Sequence, residues 1–268
     1  VDANLLQDWQ LDQDAVALAN PLSAELAVMR TSLLPGLVKT LTNNSARQQT
    51  RLRLFEMGRV FSLQEAVAPL ERQMLGAVFH GPSLSEQWAV KAAQLDFYDV
   101  KAILDAVLAV SGFSAAYRVS DKAFMHPGRS ADVLVDGQAV GVIGALHPRM
   151  NKLLDLPGDV FAFELDLSAL PQRPLPKAST ISRFPSVRRD LALLVPESVA
   201  WGEIERCVSA TLGARRQSVT VFDQYHGSGL QPGTKSLAMG LILHDISRTL
   251  NDLEVEQSVS DVLQKLGK

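Results

Sequence analysis

The stretch Phe222-Asp-Gln-Tyr-His-Gly-Ser-Gly-Leu-Gln-Pro-Gly-Thr-Lys-Ser-Leu-Ala-Met-Gly-Leu-Ile-Leu-His244 (FDQYHGSGLQPGTKSLAMGLILH) admits two opposed readings. A Gly-rich loop that ends in Lys-Ser can cradle phosphate, but only when a strand precedes it and a helix N-terminus follows. Here Gly229 to Gly233 encloses three residues instead of four, and Thr234 separates Gly233 from Lys235. SLAMGLILH, residues 236–244, alternates in the manner of a strand. The loop therefore joins two strands, and no helix dipole is aimed at an anion. Gly227, Gly229 and Gly233 are expected at positive-φ positions of a hairpin, with Tyr225, His226 and Lys235 at the rim of a sheet.

Outward from that hairpin the pattern is short and regular. DLALLVP (190–196) reads as a strand, AWGEIERCVSATLG (200–213) as a helix stopped by Gly213, and RQSVTVFDQYH (216–226) as a strand alternating at Val219, Val221, Asp223 and Tyr225. TLNDLEVEQSVSDVLQKLG (249–267) reads as a helix capped by Thr249 or Asn251, with Leu253, Val255, Val259, Val262 and Leu266 inward. The order β-α-β-β-α is that of a ferredoxin-like sandwich lacking its last strand, which suggests truncation at Gly267-Lys268. Upstream, DLSALPQRPLPKASTISRFPSVRRD (166–190) carries Pro171, Pro174, Pro176 and Pro185. Proline fixes φ and removes donors, so this is an extended connector, and the division is placed near Lys177, giving domains 1–176 and 177–268.

Before the connector, hairpins dominate. DAVALAN (14–20) looks like a strand, and SLLPGLVKTLTNNSAR (32–47) like a helix with Pro35 in its first turn. RLRLFEMGRVFSL and ERQMLGAVFHG read as two strands about a loop, FYDVKAILDAVLAVSGF as an amphipathic helix ended by Gly112, and ADVLVDGQAVGVIGALHP as a hairpin turning at Asp136-Gly137. DVFAFELDLSAL is a final strand. The fold class is α+β, an antiparallel sheet with helices upon it.

Composition excludes several function classes. With 268 residues, 47% hydrophobic, 21% charged and a net charge of −3, the chain has material for two cores and no general affinity for nucleic acid. No apolar run reaches the ~18–20 residues of a membrane span. The single cysteine, Cys207, allows no internal disulfide and reads as an inert buried thiol. The five histidines show no ligand pair at metal spacing, and two precede proline (MHPGR, LHPRM), which reads as turn chemistry.

FPSVRRDLALLV, VTVFDQYHGSGLQPGTKSLAMGLIL and RTLNDLEV resemble the ferredoxin-fold anticodon-binding domain that ends the β subunit of bacterial phenylalanyl-tRNA synthetase. NPLSAELAVMRTSLLPGLVKTLTNN, RLRLFEMGRVF, MHPGRSADVLV and GVIGALHP resemble the class II synthetase-like domain of the same family. The resemblance implies a heterotetrameric α2β2 cytoplasmic ligase that uses ATP and Mg2+ to join phenylalanine to its tRNA. It also implies that this part holds no cofactor and no catalytic residue. In the family's second motif an arginine grips phosphate, a task suited to the guanidinium fork; Ser62 stands in its place, and Gln64 in that of a glutamate. Leu167 occupies the place of the third motif's arginine, while Phe163 and Glu164 fill positions usually small. Arg30, Arg53 and Arg59 remain as structural or interfacial candidates, and Arg30 and Leu34 are expected at the subunit interface, unless the leucines fill the chain's own core.

The same resemblance assigns Ala192, Asp223, Tyr225 and Ser236 to the first anticodon base. Tyr225 would stack, Asp223 would accept from a guanine's donors, Ser236 would add a hydrogen bond and Ala192 would leave room. Spacing alone leaves open whether Tyr225 is a stacking platform or packs on a helix. Arg188, Arg189, Lys235 and Arg248 are candidate phosphate contacts, with a local Arg189–Asp190 ion pair as the alternative. Two other functions stay open on the residues: a free-standing enzyme on the class II fold, and a purely structural interaction protein.

Overall fold

In a computed structural model, the described residues are 1–63, 68–156, 158–173, 175, 178 and 181–267. The chain forms two compact units, Val1–Pro174 and Leu175–Lys268. Pro174, Pro176 and Lys177 of the predicted connector lie outside the described residues, as does Gln64.

The first unit runs α1 (Ala3–Trp9), α2 (Leu34–Ser45), β1 (Leu52–Leu63), β2 (Pro69–His80), α3 (Phe97–Val110), β3 (Ala116–Val119), β4 (Met125–Val135), β5 (Gln138–Leu146), α4 (Pro148–Leu153) and β6 (Val160–Asp166). Its strands form one antiparallel sheet in the order β1-β2-β6-β5-β4-β3. Strand β6, at the centre, is buried on both faces along nearly its whole length. One face meets α2 and Trp9 in a core with Leu37, Val38, Leu41, Val60 and Val78. The other meets α3 through Val100, Leu104 and Leu108, against Val133, Ile143 and Leu165.

Local chemistry sets the boundaries. Asp96 and Asp99 close a capping box on α3, whose two reciprocal bonds satisfy orphan N–H groups of the first turn. Gly112, at φ 79°, follows its end. Between β4 and β5, Asp136 (φ 50°) and Gly137 (φ 82°) occupy the left-handed region, as a type I′ turn requires. Two expectations differ. Residues 14–20 form no strand; only an isolated bridge joins Ala17 to Val28. His147 caps α4 by accepting from Arg149 N–H at 3.1 Å, with Pro148 at the helix start. The LHPRM turn is thus a helix start, and MHPGR lies within β4 instead of forming the turn expected; His126 accepts from Gly128 N–H at 3.0 Å where the strand's register shifts between Met125 and Ser130.

The second unit runs β7 (Val187–Pro196), α5 (Trp201–Leu212), β8 (Arg216–Tyr225), β9 (Thr234–Leu243) and α6 (Asp252–Leu266). Its antiparallel sheet has the order β7-β9-β8. Leu193, Leu237, Met239, Leu241 and Leu243 point to one face, where Ile204, Val208 and Leu212 of α5 and Val255 and Val262 of α6 cover them. Asn251 and Glu254 form a capping box on α6. Ser258 replaces Leu253 on the buried stripe with Val255 and Val262, since those positions recur at helical spacing; Leu253, expected inward, is 78% exposed. Cys207 is half-buried instead of fully enclosed.

Candidate nucleic-acid interface

The face of the second sheet opposite the helices carries the site. On β7, Arg188, Asp190, Ala192 and Leu194 are exposed while the odd-numbered residues between them turn inward. Their partners on β9 are Ile242, Gly240, Ala238 and Ser236. Strand β8 would present the wrong side here if it were regular. Val219 and Val221 pair with Leu241 and Met239 and pack toward the helices, and strict alternation would send Asp223 and Tyr225 after them. The register shifts between Val221 and Asp223. The extra residue is Phe222, and the bulge resets the parity of the residues after it. Asp223 then pairs with Ala238, and Tyr225 with Ser236.

Two rows therefore cross the open face. Ala192, Ala238 and Asp223 form one, and Leu194, Ser236 and Tyr225 the next. The structure brings together all four residues assigned to the anticodon base. Tyr225 is 48% exposed and lies over its own loop, not under a helix. Its hydroxyl donates to Ser228 O at 3.1 Å. A Cβ at Gly227 would lie 2.6 Å from the Tyr225 hydroxyl oxygen. Gly229 and Gly233 have positive φ as expected, whereas Gly227 serves by leaving room for the ring. The loop joins β8 to β9, and no helix follows it.

The four basic candidates are not equivalent. Arg188 lies on the open face, with Nε 2.7 Å from Asp190 Oδ1. Asp190 thus pairs with Arg188, not with Arg189. Arg189 sits at inward register, 3.8 Å from Asp252 of α6. Lys235 also has inward register, beside Val195, and donates from Nζ to Glu197 O at 3.0 Å. Arg248 is held by the Glu254 carboxylate. Only Arg188 shares the face of Asp223 and Tyr225. Sequence reading also passes over Phe222, which is 53% exposed with the Arg188 guanidinium 5.5 Å from its ring centroid. Alternation gives no sign of it, because its position depends on the bulge.

In the first unit, Arg30 Nη1 meets Glu56 Oε1 at 2.6 Å and its Nε donates to Arg59 O at 2.8 Å. Arg53 donates to Leu52 O, His80 O and Pro82 O, all at 2.7 Å. Arg30 thus braces the middle of β1, and Arg53 the end where Leu52 pairs with His80. Leu34, expected at an interface, is fully buried; it fills the chain's own core and offers a partner no surface. Exposed apolar surface lies instead on the edge strand β1, at Phe55 (77%) and Met57 (64%).

Ser62 and Leu167, which the resemblance sets in place of arginines, and Phe163 and Glu164, which it sets at positions usually small, do not fit a nucleoside triphosphate. Ser62 is buried, Phe163 packs against Phe79 with ring centroids 5.7 Å apart, and Leu167 N–H donates to Gln73 O. Glu164 is a buried carboxylate. Leu33 N–H donates to its Oε1 at 2.6 Å, and Ser32 Oγ lies 3.0 Å from both its oxygens. Burial pushes its pKa above the ordinary carboxylate range, against the opposing pull of these donors. None of the four carries the permanent positive charge that a triphosphate needs. Among the described residues, no three or more His, Cys, Asp or Glu side chains gather as a metal cluster, and no helix is long and apolar enough to cross a membrane.

Comparison with known proteins accounts for both units. Residues 1–167 match the family model of the phenylalanyl tRNA synthetase beta chain CLM domain, and residues 182–268 match that of the ferredoxin-fold anticodon binding domain. The chain is 53% identical over 265 residues to the phenylalanine–tRNA ligase beta subunit of Xanthomonas oryzae pv. oryzae, an alignment covering 98% of this chain and 34% of the relative. The corresponding subunit of Xanthomonas axonopodis pv. citri is 52% identical, with 98% and 34% covered. That of Xylella fastidiosa is 47% identical over 268 residues, with 99% and 34% covered. The chain spans about a third of the length of these relatives.

Proposed function

The chain belongs to the phenylalanyl-tRNA synthetase β chain family, and from that premise we propose that it supplies a non-catalytic scaffold and an anticodon reader to a phenylalanine–tRNA ligase. Residues 1–176 are the class II synthetase-like scaffold and residues 177–268 the reader. Charging of phenylalanine tRNA, with ATP and Mg2+, belongs to a partner α subunit in an α2β2 cytoplasmic assembly. The replacement of both phosphate-gripping arginines by Ser62 and Leu167 supports the scaffold role. Phe55 and Met57 offer apolar surface of the kind that a partner subunit buries.

The observation that carries the reading is the convergence of Ala192, Asp223, Tyr225 and Ser236 on one open sheet face through the bulge at Phe222. On that face the half-exposed Tyr225 ring offers a stacking surface to an unpaired base, worth about 1–3 kcal/mol. Asp223 accepts from the two donors on a guanine's Watson–Crick edge, a pairing that adenine and the pyrimidines cannot reproduce. Ser236 adds one hydrogen bond, and the small Ala192 and Ala238 let a base lie flat. Of the basic residues, Arg188 is placed to meet the RNA on this face, while Arg189, Lys235 and Arg248 are engaged elsewhere.

The test is aminoacylation by the α–β assembly at one stated salt concentration, with phenylalanine tRNA carrying G or C at the first anticodon position. The wild type should prefer G, and Tyr225→Ala, folded by circular dichroism, should lose the preference through KM. Equal use of both tRNAs by the wild type would remove the reader role and leave only the scaffold.

A further inference from the structure

We infer that the open face holds a second nucleobase subsite, formed by the Phe222 ring and the Arg188 guanidinium, for a nucleotide adjacent to the base read at Tyr225. The inference rests on the reading of this face as an anticodon surface and extends it to a neighbouring position of the same unpaired strand.

Three observations converge. Phe222 is the bulged residue of β8, so no partner on β9 opposes it. A large apolar ring is left half in water, on a face that also carries the exposed Leu194 and Tyr225, and gains the sheet no core contact. Second, Arg188 reaches across β9 from β7 to lie against that ring. It can do so because Gly240 lies between them. A Cβ there would lie 3.2 Å from Arg188 Nη2 and 3.3 Å from its Nε. Third, the guanidinium is fixed by Asp190, which accepts from Nε at 2.7 Å and would itself lie 3.2 Å from a Cβ on Gly240. The result is a preorganised pair of flat groups, one aromatic and one cationic, and both kinds of surface stack nucleobases.

Placement ties the pair to the first site. Phe222 stands beside the Val221–Met239 pair, and Tyr225 opposite Ser236. They stand three residue steps apart along the strand, about 10 Å at the usual rise, a span suited to neighbouring nucleotides splayed along one face. The positive charge suits an RNA strand, but the pair is built for a base more than for a phosphate. Asp190 already occupies one guanidinium edge, and the exposed flat surface belongs to the ring.

The experiment uses the complete β subunit assembled with its α partner, and phenylalanine tRNA made intact or with an abasic nucleotide on either side of the first anticodon base. An abasic nucleotide keeps the phosphate and removes the stacking partner. Phe222→Ala should raise KM for intact tRNA roughly 5- to 150-fold with kcat unchanged. Phe222→Leu, which keeps the apolar bulk and should melt with the wild type, should do the same. One abasic tRNA should impose a similar loss on the wild type and almost none on either variant. Preference for G over C at the first anticodon position should survive in both. Unchanged KM in both Phe222 variants, or losses that simply add to those of both abasic tRNAs, would overturn the second subsite. If Tyr225→Ala still loses the G preference in that case, the anticodon reading stands and only this inference falls; if Tyr225→Ala is also silent, both fall.

Discussion

Replacement of Glu164 by alanine should destabilise the first unit severely, while replacement by glutamine should cost far less and change how stability varies with pH. The carboxylate joins the central strand β6 to the start of α2 by accepting from Leu33 N–H and Ser32 Oγ–H, and Ser32 Oγ in turn accepts from Leu34 N–H at 3.1 Å. All three residues at the helix start are buried. Alanine leaves two buried donors without an acceptor, at about 1–3 kcal/mol each. The expected loss is therefore about 2–6 kcal/mol before any cavity cost. Glutamine keeps an oxygen for Leu33 N–H and gives up the ion. The pH effect has a definite sign. Burial raises the folded-state pKa of Glu164, with Arg72 and Arg30 opposing, so the folded state keeps its proton to higher pH than the unfolded state. Its contribution is most favourable below the unfolded value of about 4.3 and declines as pH rises through the raised folded value. The glutamine variant lacks that decline, so the wild type's advantage should shrink, or reverse, as pH increases. Urea unfolding of wild type and both variants across pH 4 to 8 measures this. An alanine variant that loses less than about 1 kcal/mol, or a wild-type–glutamine difference independent of pH, would refute the argument.

Two further outcomes are expected. Gly227→Ala should displace the Tyr225 ring, since the new Cβ would lie 2.6 Å from its hydroxyl; KM for tRNA should rise by up to the ~1–3 kcal/mol of one stacking contact while the melting temperature stays near wild type. Glu254, held by Arg248 and by Asn251 N–H, has its pKa lowered to about 2, so its stabilisation of α6 is present above the unfolded carboxylate range and lost as pH falls toward that value; acid titration by circular dichroism should find Glu254→Gln without this slope.

Much of the fold was legible because its signals are local. The Asp136-Gly137 turn, the glycine after α3 and the Asn251 cap each arise from the conformational demand of one or two residues. The connection from β8 to β9 was legible for the same reason, since a strand period cannot be mistaken for a helix start. What failed depended on distant partners. Residues 14–20 have a strand's composition but only a single bridge to pair with, and Leu34 reads as exposed only until α2 meets the sheet. In the site, alternation placed Val219, Val221, Asp223 and Tyr225 on one side, whereas the bulge divides them between two. No single-sequence pattern distinguishes a bulged phenylalanine from a paired one. Phe222 and its contact with Arg188 were invisible for that reason, as was the buried bond from Glu164 to Ser32, which spans 132 positions of chain.

The extra residue in β8 gives one strand two owners. Before the bulge, Val219 and Val221 answer to the interior, where any change of volume is resisted by close-packed neighbours. After it, Asp223 and Tyr225, at the same odd-numbered spacing, answer to whatever approaches from outside. Were the strand regular, each of its residues would keep the face set at its first pairing, and a new contact surface could be gained only by disturbing the interior with it. With the parity reset midway, the outer half can be rewritten by ordinary substitution while the inner half stays fixed. A protein that must keep its shape yet track changes in a partner's sequence gains a place where variation is cheap.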